Sequence, residues 1–548
     1  MASLASVQLG LLGSGAHSFR RSSLSVVASS IRALNRQSSG RPARVHGVRL
    51  SEGPIYEAVS YVWGSSQKPA RISCDGSDLA ITANIDAGEP VERGYQVAMM
   101  GDIYRHAAAT VIVLGTDPSG HTPRLAALVA DLDPRWPSYT ALFDSPWFDR
   151  VWTAQESALS RKPLILWGDT QIAWADIIGV HRWLVMHAQR IWFRHRLMLN
   201  DVHELSFWRP LWHMPNSVEL LCRAKTLDCS DDRDRIFAFL SSAKAYVVVG
   251  GDGEGVGSDK GTLNTRTNYR KPFREVYRDF AADWLLKTGN LCLLSAVEHT
   301  SDTFADPIVP TWAPRWDVCP TGSSYGLFDP GCNASNGLGA VRPVLDSQTK
   351  QPKLRGIVCD TVVRCWPRRS ASPTGADVLT AAWKYLSSDA APFAYEDRSQ
   401  LQAFAQLLCR QKYHETGAPD ELHADEAAFA PAMCRATGCF GDVNEASLET
   451  STQVGRIEDF LIKTGIWAVR RRLVLTHDGR YVLASRVAQE GDKLCVLAGM
   501  KVPVILRKEE QQDCCKLVGE AFVLGMMNGE AVDRALKCGT ATEDIILC

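Results

Sequence analysis

Thr110–Leu114 (TVIVL) and Pro163–Trp167 (PLILW) are short, almost wholly apolar runs with no period-two alternation. A strand wetted on one face alternates apolar and polar side chains. Unbroken runs of this length suit strands covered on both faces, as in a parallel sheet between helices. Tyr56–Val62 (YEAVSYV) reads as a buried strand too. Arg71–Thr82 (RISCDGSDLAIT) reads as a hairpin whose Asp75-Gly76 turn tolerates positive φ. A helix fits Val91–Ala109, where Val97, Met100, Tyr104 and Ala107 recur at three- and four-residue steps, and another fits Trp147–Ser160. Strands alternating with helices predict an α/β layer fold for the first 180 residues.

The pattern then changes. From about 178 to 300 it is mostly helical and rich in Trp, interrupted by the glycine loop Gly250–Gly261. Residues 375–465 read as helical. Arg472–Leu483 alternates around Asp478-Gly479, Lys493–Leu506 makes a second pair around Gly499, and Lys516–Gly525 adds a strand, which together suggest a small barrel or meander. No internal repeat is visible. The expected organisation is a disordered basic leader over 1–30, an α/β domain over 31–180, a helical region over 181–330, a mixed region over 331–465 and a C-terminal β-rich module over 466–548.

Charge and cysteine usage narrow the function classes. A formal net charge of −1 argues against a nucleic-acid or membrane-surface role for the whole chain. No apolar run approaches the roughly 18 residues of a membrane helix. The sixteen cysteines are scattered without a C-x-x-C pair, and the closest non-adjacent pair, Cys434 and Cys439, lacks a partner motif at zinc spacing. Free thiols in a reducing compartment follow, hence a cytoplasmic location in which the sequon Asn333-Ala334-Ser335 stays unmodified. The alternative is mitochondrial: residues 1–51 hold seven arginines and no Asp or Glu. Gly and Ser dilute any amphipathic helix there.

Familiar catalytic motifs are missing. Val248–Gly257 (VVGGDGEGVG) has no G-x-G-x-x-G register and no amphipathic helix directly after it. No P-loop and no G-x-S-x-G elbow occurs. His414-Glu415 lacks a histidine four residues on, so it and His423 read as flanks of an acidic surface loop. No cofactor is expected.

What remains is a dense set of Trp, Gly, Arg and Glu. Tyr61-Val62-Trp63-Gly64 ends a strand. Glu92-Arg93 and Gln96 open the helix that continues through Ile103-Tyr104 to Ala107. Trp147-Phe148-Asp149-Arg150-Val151-Trp152 leads into Gln155-Glu156. These blocks resemble the fungal heterokaryon incompatibility (HET) domain: a Tyr-x-Trp-Gly strand end, a Glu-Arg-x-x-Gln-Val helix and a Trp-Phe-x-Arg-x-Trp-x-x-Gln-Glu segment. Further likenesses follow in Asp231–Ala238 (DDRDRIFA), in Tyr269 and Val276-Tyr277, in Pro310–Trp316 (PTWAPRW) and in Asp492–Gly529, ending in Gly525–Glu530. The resemblance spans roughly residues 31 to 535.

It has one departure. Family members carry a helix and a Trp-Ile-Asp-Ala-x-Cys-Ile-Asn-Gln strand before the Glu-Arg helix. Here Asn84 is followed at once by Ile85-Asp86-Ala87-Gly88-Glu89, so only Ile85-Asp86-Ala87 is a candidate remnant. Loss of a central strand should leave ladder groups unsatisfied unless neighbours close the gap, and a shortened domain is expected to be inert.

The resemblance implies a TIR-like, flavodoxin-like but incomplete α/β domain acting in self/non-self recognition and programmed cell death. It also implies protein partners or self-association. Through the TIR likeness it implies, as an alternative, an NAD-hydrolysing enzyme with NAD as substrate. Such cleavage needs a carboxylate near the ribose and an apolar slot for nicotinamide. Glu156, beside Trp152, is the catalytic candidate. Core packing is the plain role for Trp63, Trp147 and Trp152, and a structural ion-pair network that for Glu92, Arg93, Arg150 and Glu156.

Overall fold

The computed structural model describes residues 5–8, 25–28, 46–47, 56–61, 71–74, 77–80, 97, 100–115, 136–187, 217–240, 263–318, 324–328, 331–339, 341–366, 393–395, 400–409 and 471–548. The chain divides into two compact units, Met1–Ser258 with Asn264–Phe273, and Asp259–Leu263 with Arg274–Cys548.

In the first unit the strands are β1 (Ala5–Gln8), β2 (Ser25–Ala28), β3 (His46–Gly47), β4 (Tyr56–Tyr61), β5 (Arg71–Cys74), β6 (Ser77–Ala80), β7 (Ala109–Gly115), β8 (Pro163–Trp167) and β9 (Thr170–Ala173). The helices are α1 (100–106), α2 (Trp136–Phe143), α3 (Val151–Ala158), α4 (Trp174–His187), α5 (Ser217–Arg223) and α6 (Asp234–Phe237). The main sheet has the order β3-β2-β1-β4-β7-β8-β9. β1, β4, β7 and β8 are mutually parallel, and β9 returns antiparallel through a reversal at Gly168 (φ 57°). β5 and β6 form the expected hairpin.

The unbroken apolar runs are the inner strands of this sheet. Ile112 and Ile165 are wholly buried and pack with Tyr139 and Leu142 of α2, Trp147, Phe148, and Trp174 and Ile177 of α4. The aromatics interlock edge to face: the Trp147 ring lies 5.0 Å from Phe148 and 5.9 Å from Trp174. Such pairs add to the burial free energy of large rings. Val97, Tyr104 and Ala107, three of the four residues of the predicted helical face, are buried.

β4 pairs directly with β7, from Glu57↔Ala109 to Tyr61↔Val113, so the strands that flank the shortened segment are neighbours and their ladder is closed. The stretch read as a disordered leader holds β1 and β2, and β1 pairs with the other edge of β4. Two donor rows on β4 attract two partners, which composition does not reveal.

The second unit contains α7 (Phe273–Thr288), α8 (Ser301–Phe304), α9 (Tyr325–Phe328), α10 (Gln400–Cys409) and α11 (Glu530–Lys537). Its strands are β10 (Val344–Leu345), β11 (Pro352–Cys365), β12 (Arg472–Thr476), β13 (Tyr481–Ala484), β14 (Lys493–Leu497), β15 (Val504–Lys508), β16 (Cys515–Glu520), β17 (Phe522–Val523) and β18 (Glu543–Ile546). They run β16-β15-β14-β11-β12-β13-β17, with β10 and β18 also on β11. Gly479 (φ 83°) and Gly499 (φ 89°) turn the two hairpins read from sequence. β11 was not assigned to this β-rich module, yet it lies at its centre. Register shifts at Val358/Asp360 and Val362/Arg364 let it pair with β14 along one half and β12 along the other. Such bulges bend a strand enough to serve two partners.

The expectation of free thiols is also corrected. β18 lies antiparallel on β11 and brings Cys548 back beside Cys514, with a Cα–Cα distance of 6.0 Å, and the two form a disulfide. Nine other described cysteines are free. Ser335 of the sequon is buried and its hydroxyl accepts from Gly499 N at 3.2 Å. Among the described residues no helix is long and apolar enough to cross a membrane.

Candidate functional site

A hydroxyl inside a buried apolar strand needs a partner, because desolvating it unpaired costs about 1–3 kcal/mol. Ser60 of β4 is such a group. Its Oγ accepts from the indole Nε1 of Trp147 at 2.5 Å and donates to Oε2 of Glu156. Tyr104 of α1 and Trp147 also hydrogen-bond the Glu156 carboxyl. One carboxyl of α3 is thus tied to β4, α1 and the segment leading into α3.

Glu156 is only 4% exposed. Burial pushes its pKa above the ordinary 4.5, and the bonds from Ser60, Tyr104 and Trp147 and the charge of Arg150 counter this only in part. The carboxyl therefore holds a proton more readily than a surface glutamate does. Arg150 stands at the N-cap of α3, with extended backbone, so Arg150 and Glu156 bracket a junction and helix rather than sharing one helical face.

A second buried carboxylate meets α3 at Trp152, one helical turn before Glu156. Asp234 accepts from Trp152 Nε1 at 3.2 Å and from the Tyr269 hydroxyl. Arg233 grips Asp231 with two 2.8 Å bonds, lies 5.2 Å over the Tyr269 ring and donates to the carbonyls of Tyr269 and Lys271. The backbone adds Asp228 N to Asp149 O at 2.5 Å and Val151 N to Asp228 O at 3.0 Å. The acidic-arginine segment and Tyr269 thus belong to the same unit as α3, beyond the boundary expected at 180.

Of the sequence candidates, Tyr104, Trp147, Phe148, Gln155 and Glu156 are buried together, Arg150 and Trp152 are half-buried, and Tyr61 ends β4. Trp63, Gly64, Asp86, Glu92, Arg93 and Gln96 lie outside the described residues. Sequence reading missed Ser60 and the role of Asp234. Ser60 had one signal, a lone hydroxyl in an apolar run. Among the described residues, Asp360, His477 and Asp478 could bring ligand atoms within 4.8 Å of one another, but His477 and Asp478 are exposed, and Asp360 already accepts from Thr361 N.

Residues 86–156 match the family described as heterokaryon incompatibility protein (HET), and residues 445–539 match the Het-6 beta-barrel domain. The HET match opens at Asp86, the candidate remnant, and closes at Glu156. No curated protein and no solved structure matches the chain.

Proposed function

We propose that this chain, a heterokaryon incompatibility (HET) domain-containing protein with a Het-6 β-barrel domain, acts in self/non-self recognition by triggering programmed cell death through its HET domain. The trigger is a protein partner or self-association, and the C-terminal region senses. The observation that carries this reading is the enclosure of Glu156, whose carboxyl is engaged by Ser60, Tyr104 and Trp147 and is 4% exposed. A carboxyl so occupied supports a keystone role that holds β4, α1 and α3 in one arrangement. Direct pairing of β4 with β7 closes the sheet without the missing segment, which supports an active domain in place of the inertness expected from the sequence.

A second reading makes Glu156 the catalytic group of a TIR-like NAD-hydrolysing enzyme. Its favouring observation is the raised proton affinity of Glu156, a property shared with catalytic carboxyls. The likeness to TIR domains is a fold-level analogy. Purified protein incubated with NAD separates the two. The signalling reading expects no nicotinamide release above that of the Glu156→Gln variant, and release that depends on Glu156 supports the enzyme.

A further inference from the structure

We infer that Cys514 and Cys548 form a redox latch that fastens the strand β18 to the edge of β11. The two residues stand 34 apart in sequence, yet the Cys515↔Leu547 bridge and the bond from Cys548 N to Cys515 O at 3.0 Å set their backbones side by side. The disulfide therefore closes where the fold already places both sulfurs. Cys514 is buried and Cys548 is half-buried, so Cys548 is the sulfur an outside reagent meets first.

The latch sits on a small hydrogen-bond node. Thr311, in the Pro310–Trp316 segment, donates its N–H at 3.2 Å and its hydroxyl to the carbonyl of Cys548. The same hydroxyl accepts from Leu517 N at 2.9 Å. His299 Nε2 donates between the carbonyls of Thr311 at 3.0 Å and Leu517 at 3.1 Å. Next to the latch, β18 pairs with β11 from Lys353↔Ile546 to Gly356↔Glu543, and Leu547 N donates to Pro352 O at 3.0 Å. The strand is short, and its flanking side-chain ties, Lys353–Asp544 and Arg355–Thr542, are exposed. Exposed ties of this kind add little to the buried anchors Ile545 and Leu547, so a covalent closure adds to how tightly the strand stays down.

The chemistry is a two-electron exchange with a low-molecular-weight disulfide as oxidant. The Cys548 thiolate attacks that disulfide, forms a mixed disulfide and expels one thiolate. The Cys514 thiolate then attacks Sγ of Cys548, forms the Cys514–Cys548 bond and expels the second. Two protein thiols lose two protons and two electrons, and the reagent disulfide becomes two thiols. Reduction reverses each step, frees β18 and opens the backbone groups of residues 353–356, an edge able to accept another strand.

The test is hydrogen exchange on the full chain in glutathione buffers from fully reduced to fully oxidised, with thiols counted by maleimide mass shift. Oxidation should join Cys514 to Cys548 and slow exchange at Thr311, 353–356 and 543–548 by about tenfold or more. Cys548→Ser should remove this response, and Cys515→Ser, which alters the adjacent free thiol, should retain it. If Cys514→Ser fails to fold, Cys548→Ser still decides. A protein that forms no Cys514–Cys548 bond under oxidation overturns the latch, as does one that forms it with unchanged exchange.

Discussion

The indole N–H of Trp147 donates to Ser60 Oγ across 2.5 Å, and the same hydroxyl donates its own hydrogen bond to Glu156 Oε2. Ser60 is thus joined to residues 87 and 96 positions further on in one hydrogen-bond chain inside the core. Ser60→Ala removes the middle of it and leaves a buried indole N–H and a buried carboxyl each short of a partner. The loss should be about 1–3 kcal/mol or slightly more, read as a lower denaturant midpoint. A change below about 0.5 kcal/mol would place the hydrogen-bond chain outside the energetics of the fold.

Acidity gives a second handle on the same cluster. Burial, the largest influence, raises the folded-state pKa of Glu156 above 4.5. A carboxyl of this kind stabilises the fold fully below its unfolded value, and that contribution is lost as pH climbs through the raised folded value. Glu156→Gln keeps the shape and cannot ionise. Unfolding measured from about pH 4 to 8 should show wild type losing stability relative to Glu156→Gln as pH rises. An advantage of wild type that grows with pH would mean the ionised form is the one the site prefers.

The contact between α3 and the acidic-arginine segment rests on Asp234. Tyr269→Phe removes a hydroxyl bonded to that buried carboxylate and should cost about 1.5–3 kcal/mol. Trp152→Ala, which also leaves a void at a half-buried ring, should cost about 3 kcal/mol. In the Trp152→Phe background, Asp234→Asn should cost less than in wild type, which a double-mutant cycle measures. Strict additivity would show that the indole and the carboxylate do not cooperate.

In the second unit, the buried guanidinium of Arg471 bonds Glu520 at 2.8 Å and lies 4.7 Å over the Tyr325 ring. Glu520 also accepts from Ser324 Oγ, Tyr325 N and Gly326 N. Arg471→Met strands that carboxylate and should cost about 3–5 kcal/mol. Glu520→Gln keeps an amide oxygen for the backbone donors and should cost less. A loss below about 1 kcal/mol for Arg471→Met, by urea unfolding, would refute a locked pair.

Much of this was legible in the chain itself. Unbroken apolar runs mark β7 and β8 because a strand buried on both faces has no polar phase to show. Gly479 and Gly499 mark hairpins because only a residue without a side chain takes positive φ cheaply. The Trp-Phe-x-Arg-x-Trp block pointed to the cluster around Glu156. Pairings between distant segments were not legible. Ser60 and Glu156 are 96 residues apart, and Cys514 and Cys548 sit in no motif. The central place of β11 in the C-terminal module escaped reading because its two bulges break the register that would advertise a single partner.

The account's central claim is that the HET domain kills by recognition and assembly, with Glu156 as its keystone rather than its catalyst. Inducible expression in a fungal cell tests it most directly, with viability, cellular NAD and folded protein level followed for wild type and Glu156→Gln. The account predicts that both kill at equal folded level and that NAD is not consumed ahead of death. A folded Glu156→Gln protein that no longer kills would contradict it, as would NAD consumed ahead of death by wild type but not by Glu156→Gln, or a wild-type chain that leaves growth untouched.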